Sequence, residues 1–318
     1  MWTAVRYLLL PYTTGAMVLG LVLVCLAAVS WGTTGSVMAL LAREGTPSPL
    51  LVGWARMAGA APCLLLAIAL VPPAASARGE WRRRDWAKAA LLGAAMAAYQ
   101  VCYFWAVPRT GVALTALLAI CLAPLMIAAG AALTLKERPN PATLAALPLA
   151  VAGAAMVLAG PRADGDTPAA FTAGALSALG AGLSYAVYAV TAKGLLRRAA
   201  PLPLAALTFT LAALLLTPVL ALERSAAAQL AAGWPLLLYL GVVPTAAAYV
   251  VFGAGLRRVT ATTAGIATLL EPLTAAALGV LLFGERLGTV GWAGAALLLG
   301  ALGLLARPGS DSPSSDHH

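Results

Sequence analysis

Charge is what this chain is short of. Only 10% of its 318 residues are Asp, Glu, Lys or Arg, against 62% hydrophobic residues and a mean hydropathy of +0.91. A soluble domain carries about a quarter of its residues charged, so a water-facing globular surface is excluded. Histidine is nearly absent: His317 and His318 end a polar tail, RPGSDSPSSDHH, and the hydrophobic part of the chain therefore has no imidazole for a metal centre or a proton relay. Cysteine is sparse. Cys25, Cys63, Cys102 and Cys121 fall inside apolar runs without paired spacing, which excludes a disulfide framework or a thiolate metal cluster. Neither HExxH nor GxSxG occurs, so a membrane-embedded enzyme would lack both its metal ligands and its nucleophile elbow. No cofactor, metal or catalytic set is expected.

What is there is apolar run after apolar run, near residues 15–41, 49–71, 86–107, 111–135, 141–160, 169–192, 203–222, 234–256, 260–283 and 289–306. Each is about the length a membrane-spanning helix needs, and none shows the alternation of an outer-membrane β-barrel strand. The expected fold class is an all-α integral membrane protein of ten transmembrane helices. The net charge of +9 raises nucleic acid as a partner, but the placement of the basic residues argues against it. With the N-terminus inside, cytoplasmic segments gather Arg78, Arg82, Arg83, Arg84 and Lys88, then Lys136 with Arg138, then Lys193, Arg197 and Arg198, then Arg257 with Arg258. The outer loops hold one each: Arg43, Arg109, Arg162, Arg224 and Arg286. That asymmetry predicts a multi-pass protein of the cytoplasmic membrane with both termini inside. Trp81-Arg82-Arg83-Arg84 reads as a headgroup anchor to membrane lipid. The first apolar run follows little basic sequence and has no clear small-residue cleavage site, so a removed signal peptide is not expected.

The runs come in two sets. From Trp86 onward residues recur at an offset of 148, pairing Trp86 with Trp234, Gly93 with Gly241, Phe104 with Phe252, Pro124 with Pro272 and Glu137-Arg138 with Glu285-Arg286. Before Trp86 the offset is 154, pairing Ser30-Trp31 with Ser184-Tyr185. The sequence thus divides into a unit at 1–160, a second at 165–310, and a disordered tail at 311–318. Five spans per unit is odd, so the second unit is expected inverted relative to the first, with a cavity where they meet near the bilayer midplane.

Candidate site residues are the polar and aromatic ones set in mid-run. Glu271 lies about eleven residues from either end of the ninth run, where a charge costs about 2.5 to 3.5 kcal/mol and faces the protein interior or a watery cavity. Pro272 removes a backbone donor and frees the carbonyl of Thr268 beside that carboxylate. The equivalent Pro124 is preceded by Ala123. Both prolines are expected as helix breaks. Tyr99 and Tyr103, at i and i+4, share a helix face with Gln100 close by, and Tyr185 and Tyr188 are at i and i+3. Trp31 and Tyr249 are likewise mid-run, beyond the reach of an interfacial-anchor explanation. Arg56 sits about 10 Å into the second run, close in depth to Glu271. It either pairs with that acid, holds a substrate's carboxylate while Glu271 holds an ammonium, or snorkels to the surface.

These pieces together resemble a known family. They are Glu271-Pro272 with Gly284-Glu285-Arg286-Leu287 at the end of the same run, Lys136-Glu137-Arg138-Pro139 in the first half, Ser30-Trp31-Gly32 in the first run, and a lone arginine, Arg56, early in the next. In that order they are similar to the drug/metabolite transporter superfamily, and within it to the ten-span EamA-type exporters. The resemblance covers about 15–306. It implies a central cavity lined by spans one to four and six to nine, spans five and ten at the periphery, and export of amino acids or other small metabolites by alternating access. Proton coupling through Glu271 is a partner expectation. Three readings stay open: amino-acid or metabolite export, multidrug or nucleoside-type efflux by the same fold, and a non-transporting receptor or scaffold.

Overall fold

A computed structural model describes residues 14–43, 48–70, 81–139, 141–157, 168–223, 225–284 and 288–305. The expectations for Glu285, Arg286 and the tail lie outside these residues. No strand occurs among the described residues, as the unbroken apolar runs require: in lipid only a helix satisfies its backbone within one segment.

The helices, in chain order, are α1 (Thr14–Arg43), α2 (Pro49–Leu70), α3 (Arg83–Ala116), a π-helical turn π1 (Leu117–Cys121), α4 (Ala123–Leu135), α5 (Pro141–Val157), α6 (Pro168–Leu195) and α7 (Pro201–Leu216). The remainder are α8 (Val219–Leu222), α9 (Ala226–Ala232), α10 (Trp234–Gly241), a second π-helical turn π2 (Val242–Ala247), α11 (Ala248–Leu256), α12 (Ala261–Ala267), α13 (Leu270–Phe283) and α14 (Thr289–Leu305). Eight stretches are long and apolar enough to cross a membrane, while α5 and α14, at 17 residues each, are shorter. At 1.5 Å per residue those two reach about 25 Å of a hydrocarbon layer about 30 Å thick.

Two runs differ from expectation in detail. Helical hydrogen bonding continues from Arg83 to Ala116, although the runs predict a break near 108–110; Pro108 within it lacks one donor but does not end the helix. The ninth run is not one helix. It is α12 and α13, joined at Thr268–Leu269, because Pro272 cannot bond back to Thr268; that carbonyl instead accepts from the Glu271 amide at 2.9 Å.

Packing sorts the helices into a wall and a pair. α3 lies along α6, α2 along α7, and α1 against α11 and α13, while α5 and α14 lie along each other. The latter pair meets through glycine. A Cβ on Gly153 would come within 2.7 Å of the Gly294 carbonyl oxygen, and one on Gly294 within 2.5 Å of Gly153's, so only bare backbones approach this closely. Gly291 and Ala295 on the same helix are buried as well. Around the outside, Leu133, Leu281 and Leu222 are 82%, 78% and 76% exposed. A water-soluble monomer does not show such an apolar surface; acyl chains accept it.

Candidate functional site

The helix breaks and close approaches surround a cavity of about 600 Å3, within the range of small-molecule sites. Its wall comes from the C-terminal halves of α1 and α3, the N-terminal part of α2, the start of the π1–α4 segment, the middle of α6, the first turn of α11 and the α12–α13 break. Those stretches of α1, α2 and α3 belong to one end of the bundle, so the cavity runs from mid-bundle toward that end.

Of the residues singled out from sequence, Trp31, Arg56, Tyr99, Gln100, Tyr103, Tyr185, Tyr249, Thr268, Glu271 and Pro272 line this one space. Tyr188 and Pro124 do not. Tyr188 is 4% exposed and packs its ring on Tyr185, Tyr249 and Phe252, because its i+3 position turns it beneath Tyr185. Pro124 packs where π1–α4 crosses α12: a Cβ on Gly265 would be 3.4 Å from its Cα and 3.0 Å from Ile127.

Aromatic rings form the floor and one wall. Trp31 lies 4.8 Å from Tyr249, 5.2 Å from Phe252 and 6.2 Å from Tyr185, centroid to centroid, and Phe209 lies 4.7 Å from Tyr249. This cluster blocks the cavity's deep end with tilted and edge-to-face contacts. Tyr99 and Tyr103 stack at 5.7 Å along α3, on the shared face that their spacing requires.

Glu271 opens α13, in its first turn, where helix-end amides favour a negative charge. α1 comes close against it. A Cβ on Gly32 would be 2.7 Å from the Glu271 carbonyl oxygen and 2.5 Å from Thr274, so glycine is what lets α1 seat on the break. Thr268 donates to the Gly265 carbonyl at 2.7 Å and is held against the wall.

Arg56 neither snorkels nor forms an ion pair with Glu271. It is 8% exposed, and its Nε donates to Thr245 Oγ1 at 3.4 Å. The one salt bridge within 4.0 Å among the described residues joins Arg198 and Asp85 instead. Depth counting brings the two charges level; the structure puts both on the cavity wall, apart. Several wall atoms are buried with no hydrogen-bond partner: Trp31 Nε1, Thr34 Oγ1, Gln100 Oε1 and Tyr185 OH. Buried polar atoms are nearly always paired, so four unpaired ones on residues of this wall set it apart from an ordinary packed core.

Sequence reasoning missed three residues. Thr245 follows Pro244 directly, and a hydroxyl beside a mid-span proline was the available signal. Lys193 reads in the sequence as a surface charge, yet it is 4% exposed and its Nζ donates to the carbonyls of Leu256, at 2.6 Å, and Val259, at the C-terminal end of α11. Glu137 Oε2 accepts from the Ala261 amide at 2.8 Å, at the first turn of α12. Both charges oppose the helix-end dipoles they face. Among the described residues no cluster of His, Cys, Asp or Glu suits a metal ion, and the cysteines are free.

Comparison with known proteins gives this geometry a family. The model of the EamA-like transporter family matches twice, at residues 18–159 and 172–307. An uncharacterized transporter, YwfM, of Bacillus subtilis (strain 168) is 35% identical over 303 residues, covering 93% of this chain and 96% of its own. A probable terminal-alkyne amino-acid exporter of Streptantibioticus cattleyicolor is 30% identical over 228 residues, 71% of this chain and 75% of that one. A solved crystal structure superposes with a TM-score of 0.71 over 90% of this chain and 95% of the other at 20% identity, a likeness of fold. With apolar helices around a polar-lined cavity and a family match across both halves, the chain is a transporter that belongs to the EamA-like family within the drug/metabolite transporter superfamily.

Proposed function

We propose that this transporter exports amino acids or closely related zwitterions across the cytoplasmic membrane by alternating access, its ten helices forming two inverted five-helix units around the cavity. The observation that carries this reading is that a carboxylate, Glu271, and a guanidinium, Arg56, face one 600 Å3 space without pairing with each other. An isolated charge buried in a membrane protein is costly, and two opposite charges kept apart suit a ligand that carries both signs. Tyr99, Tyr103, Tyr185 and Trp31 supply the apolar and aromatic remainder of the site. The name of the Streptantibioticus relative, an amino-acid exporter, supports the substrate class.

The positive-inside asymmetry sets the cavity mouth on the outer side, and the Trp31–Tyr249–Phe252 cluster then shuts the inner side. Release of substrate outward is the half-cycle this arrangement represents. Return requires the aromatic floor to part, and protonation of Glu271 is the step that would couple the return to a proton gradient. A second reading, efflux of organic cations, is favoured by ring faces beside a carboxylate.

Counterflow into vesicles of the purified protein, screened across amino acids, nucleosides and cationic dyes between pH 5 and 8, decides among these. The proposal expects exchange of one or more amino acids that is lost in Glu271→Gln. Exchange confined to cations establishes the second reading, and no solute-dependent flux overturns both.

A further inference from the structure

The Arg56 guanidinium is 8% exposed and its terminal nitrogens meet no hydrogen-bond acceptor among the described residues; its only protein partner there is Thr245, through Nε. How Thr245 comes to be that partner follows from its neighbours. Pro244 has no N–H, so the carbonyl of Leu240, one helical turn before it, loses its usual donor. The Thr245 hydroxyl takes up that carbonyl, donating to Leu240 O at 2.7 Å. This occurs within the wide turn Val242–Ala247, a π-type insertion of the kind that often marks functional positions. A hydroxyl has one proton. With it committed to Leu240, Thr245 Oγ1 presents only lone pairs to Arg56, and Thr245 itself is 0% exposed, so the hydroxyl is fixed in place.

The backbones make the contact possible. α2 and α10 touch at glycine: a Cβ on Gly241 would be 3.1 Å from Gly59 Cα and 3.3 Å from the Ala60 nitrogen. That approach brings the wide turn within reach of Arg56, one turn away from Gly59 on α2.

We propose that Thr245 is a positioning residue that aims Arg56 at the carboxylate of the substrate, and that the Pro244–Thr245 turn thereby makes the carboxylate a required feature of what is carried. The inference rests on the transport reading above and deepens it. An Nε held by a neutral acceptor leaves the two outer nitrogens of the fork free for a bidentate partner. A carboxylate entering the cavity meets that need and neutralises a buried guanidinium that has no ion-pair partner within 4.0 Å among the described residues.

The test pairs each proteinogenic amino acid with its decarboxylated amine and measures KM and Vmax for counterflow, with the amines also tried as competitors, in vesicles of wild-type protein, Thr245→Val and Thr245→Ser. Thr245→Val keeps the shape and removes the acceptor. It is expected to raise KM for the acids about tenfold, the worth of a hydrogen bond to a charged group, while leaving Vmax unchanged and the amines still without measurable transport or competition. Thr245→Ser is expected to return KM to within about twofold of wild type, since the hydroxyl is restored. Amines that neither move nor compete in any of the three proteins bear out the carboxylate requirement, and the acids' KM then decides the role of Thr245. Unchanged KM in Thr245→Val, or acids and amines shifting together as packing damage would make them, overturns the proposal. If wild-type protein moves no acid at all, the transport reading falls and takes this inference with it, a result distinct from a functioning carrier indifferent to residue 245.

Discussion

Pro124 and Pro272 occupy equivalent places in the two halves, and the chain has used them differently. Before Pro272 stands Glu271, on the cavity wall; before Pro124 stands Ala123, 1% exposed and off that wall. The first break is a π-helical turn, Leu117–Cys121, followed by continuous helix, while the second splits its run into α12 and α13. One break serves packing, with Ile127 and Pro124 seated on Gly265. The other carries the charge. Of these two weak points in the bundle, only one carries polarity.

The sharpest way to break this comparison is to move the acid. Ala123→Glu combined with Glu271→Ala is expected to stay inactive in counterflow, at least about a hundredfold below wild type if an ionic contact to substrate is lost, because residue 123 does not face the cavity. Recovery of transport would show the two breaks to be interchangeable.

Next in size is the seat of α1 on the second break. Gly32→Ala forces a methyl to within 2.7 Å of the Glu271 carbonyl, whereas at Gly35 nothing lies within 4 Å. Overpacking of that kind costs about 1 to 3 kcal/mol, so Gly32→Ala is expected to lower Tm by several degrees and to impair transport, with Gly35→Ala close to wild type in both. Thermal unfolding in detergent alongside vesicle flux reads the pair.

Smaller effects are expected from the prolines. Pro272→Ala supplies an amide that competes with the Glu271 N–H for Thr268 O, and transport should slow by a few-fold, with KM little changed, since a single neutral backbone bond is worth about 1 kcal/mol. Pro124→Ala is expected to alter Tm and leave KM alone. Equal kinetic penalties at both would erase the distinction.

The smallest effect concerns Glu137, on the loop after α4. Burial pushes its carboxyl above the usual range, with Lys193 and the amides of Ala261 and Thr262 pulling it back. The folded chain then holds that proton more tightly than the unfolded chain, so this group's contribution to stability falls as pH rises from the ordinary carboxylate range through the raised one. Glu137→Gln should remove that slope from a plot of Tm against pH. A slope identical to wild type would assign it elsewhere.

Much of this was legible in the sequence because hydrophobic periodicity and helix geometry are local. The apolar runs became helices, and Tyr99 with Tyr103 shared a face because four residues make about one turn. What depends on lateral placement was not legible. Counting depth along a run puts Arg56 level with Glu271, but depth says nothing about which neighbour a long side chain turns to, and Thr245 stands nearer. Tyr188 shares a helix with Tyr185 yet lies under the cavity. A position near a run end makes Lys193 read as a loop charge; it is buried because the carbonyls at the end of α11 need a donor. Each of these is settled by the partner helix, which a single run cannot reveal.

The central claim is that the cavity holding Glu271 opens to one compartment at a time. Ala275, which lines it about one turn past Glu271, offers the direct probe: Ala275→Cys in a chain whose four natural cysteines are replaced, reacted with a membrane-impermeant thiol reagent in right-side-out and in inside-out vesicles, with and without an amino acid found active in counterflow. The account predicts that substrate speeds labelling from one side and slows it from the other. Equal labelling from both sides at once, or rates that substrate leaves untouched on both, would contradict it.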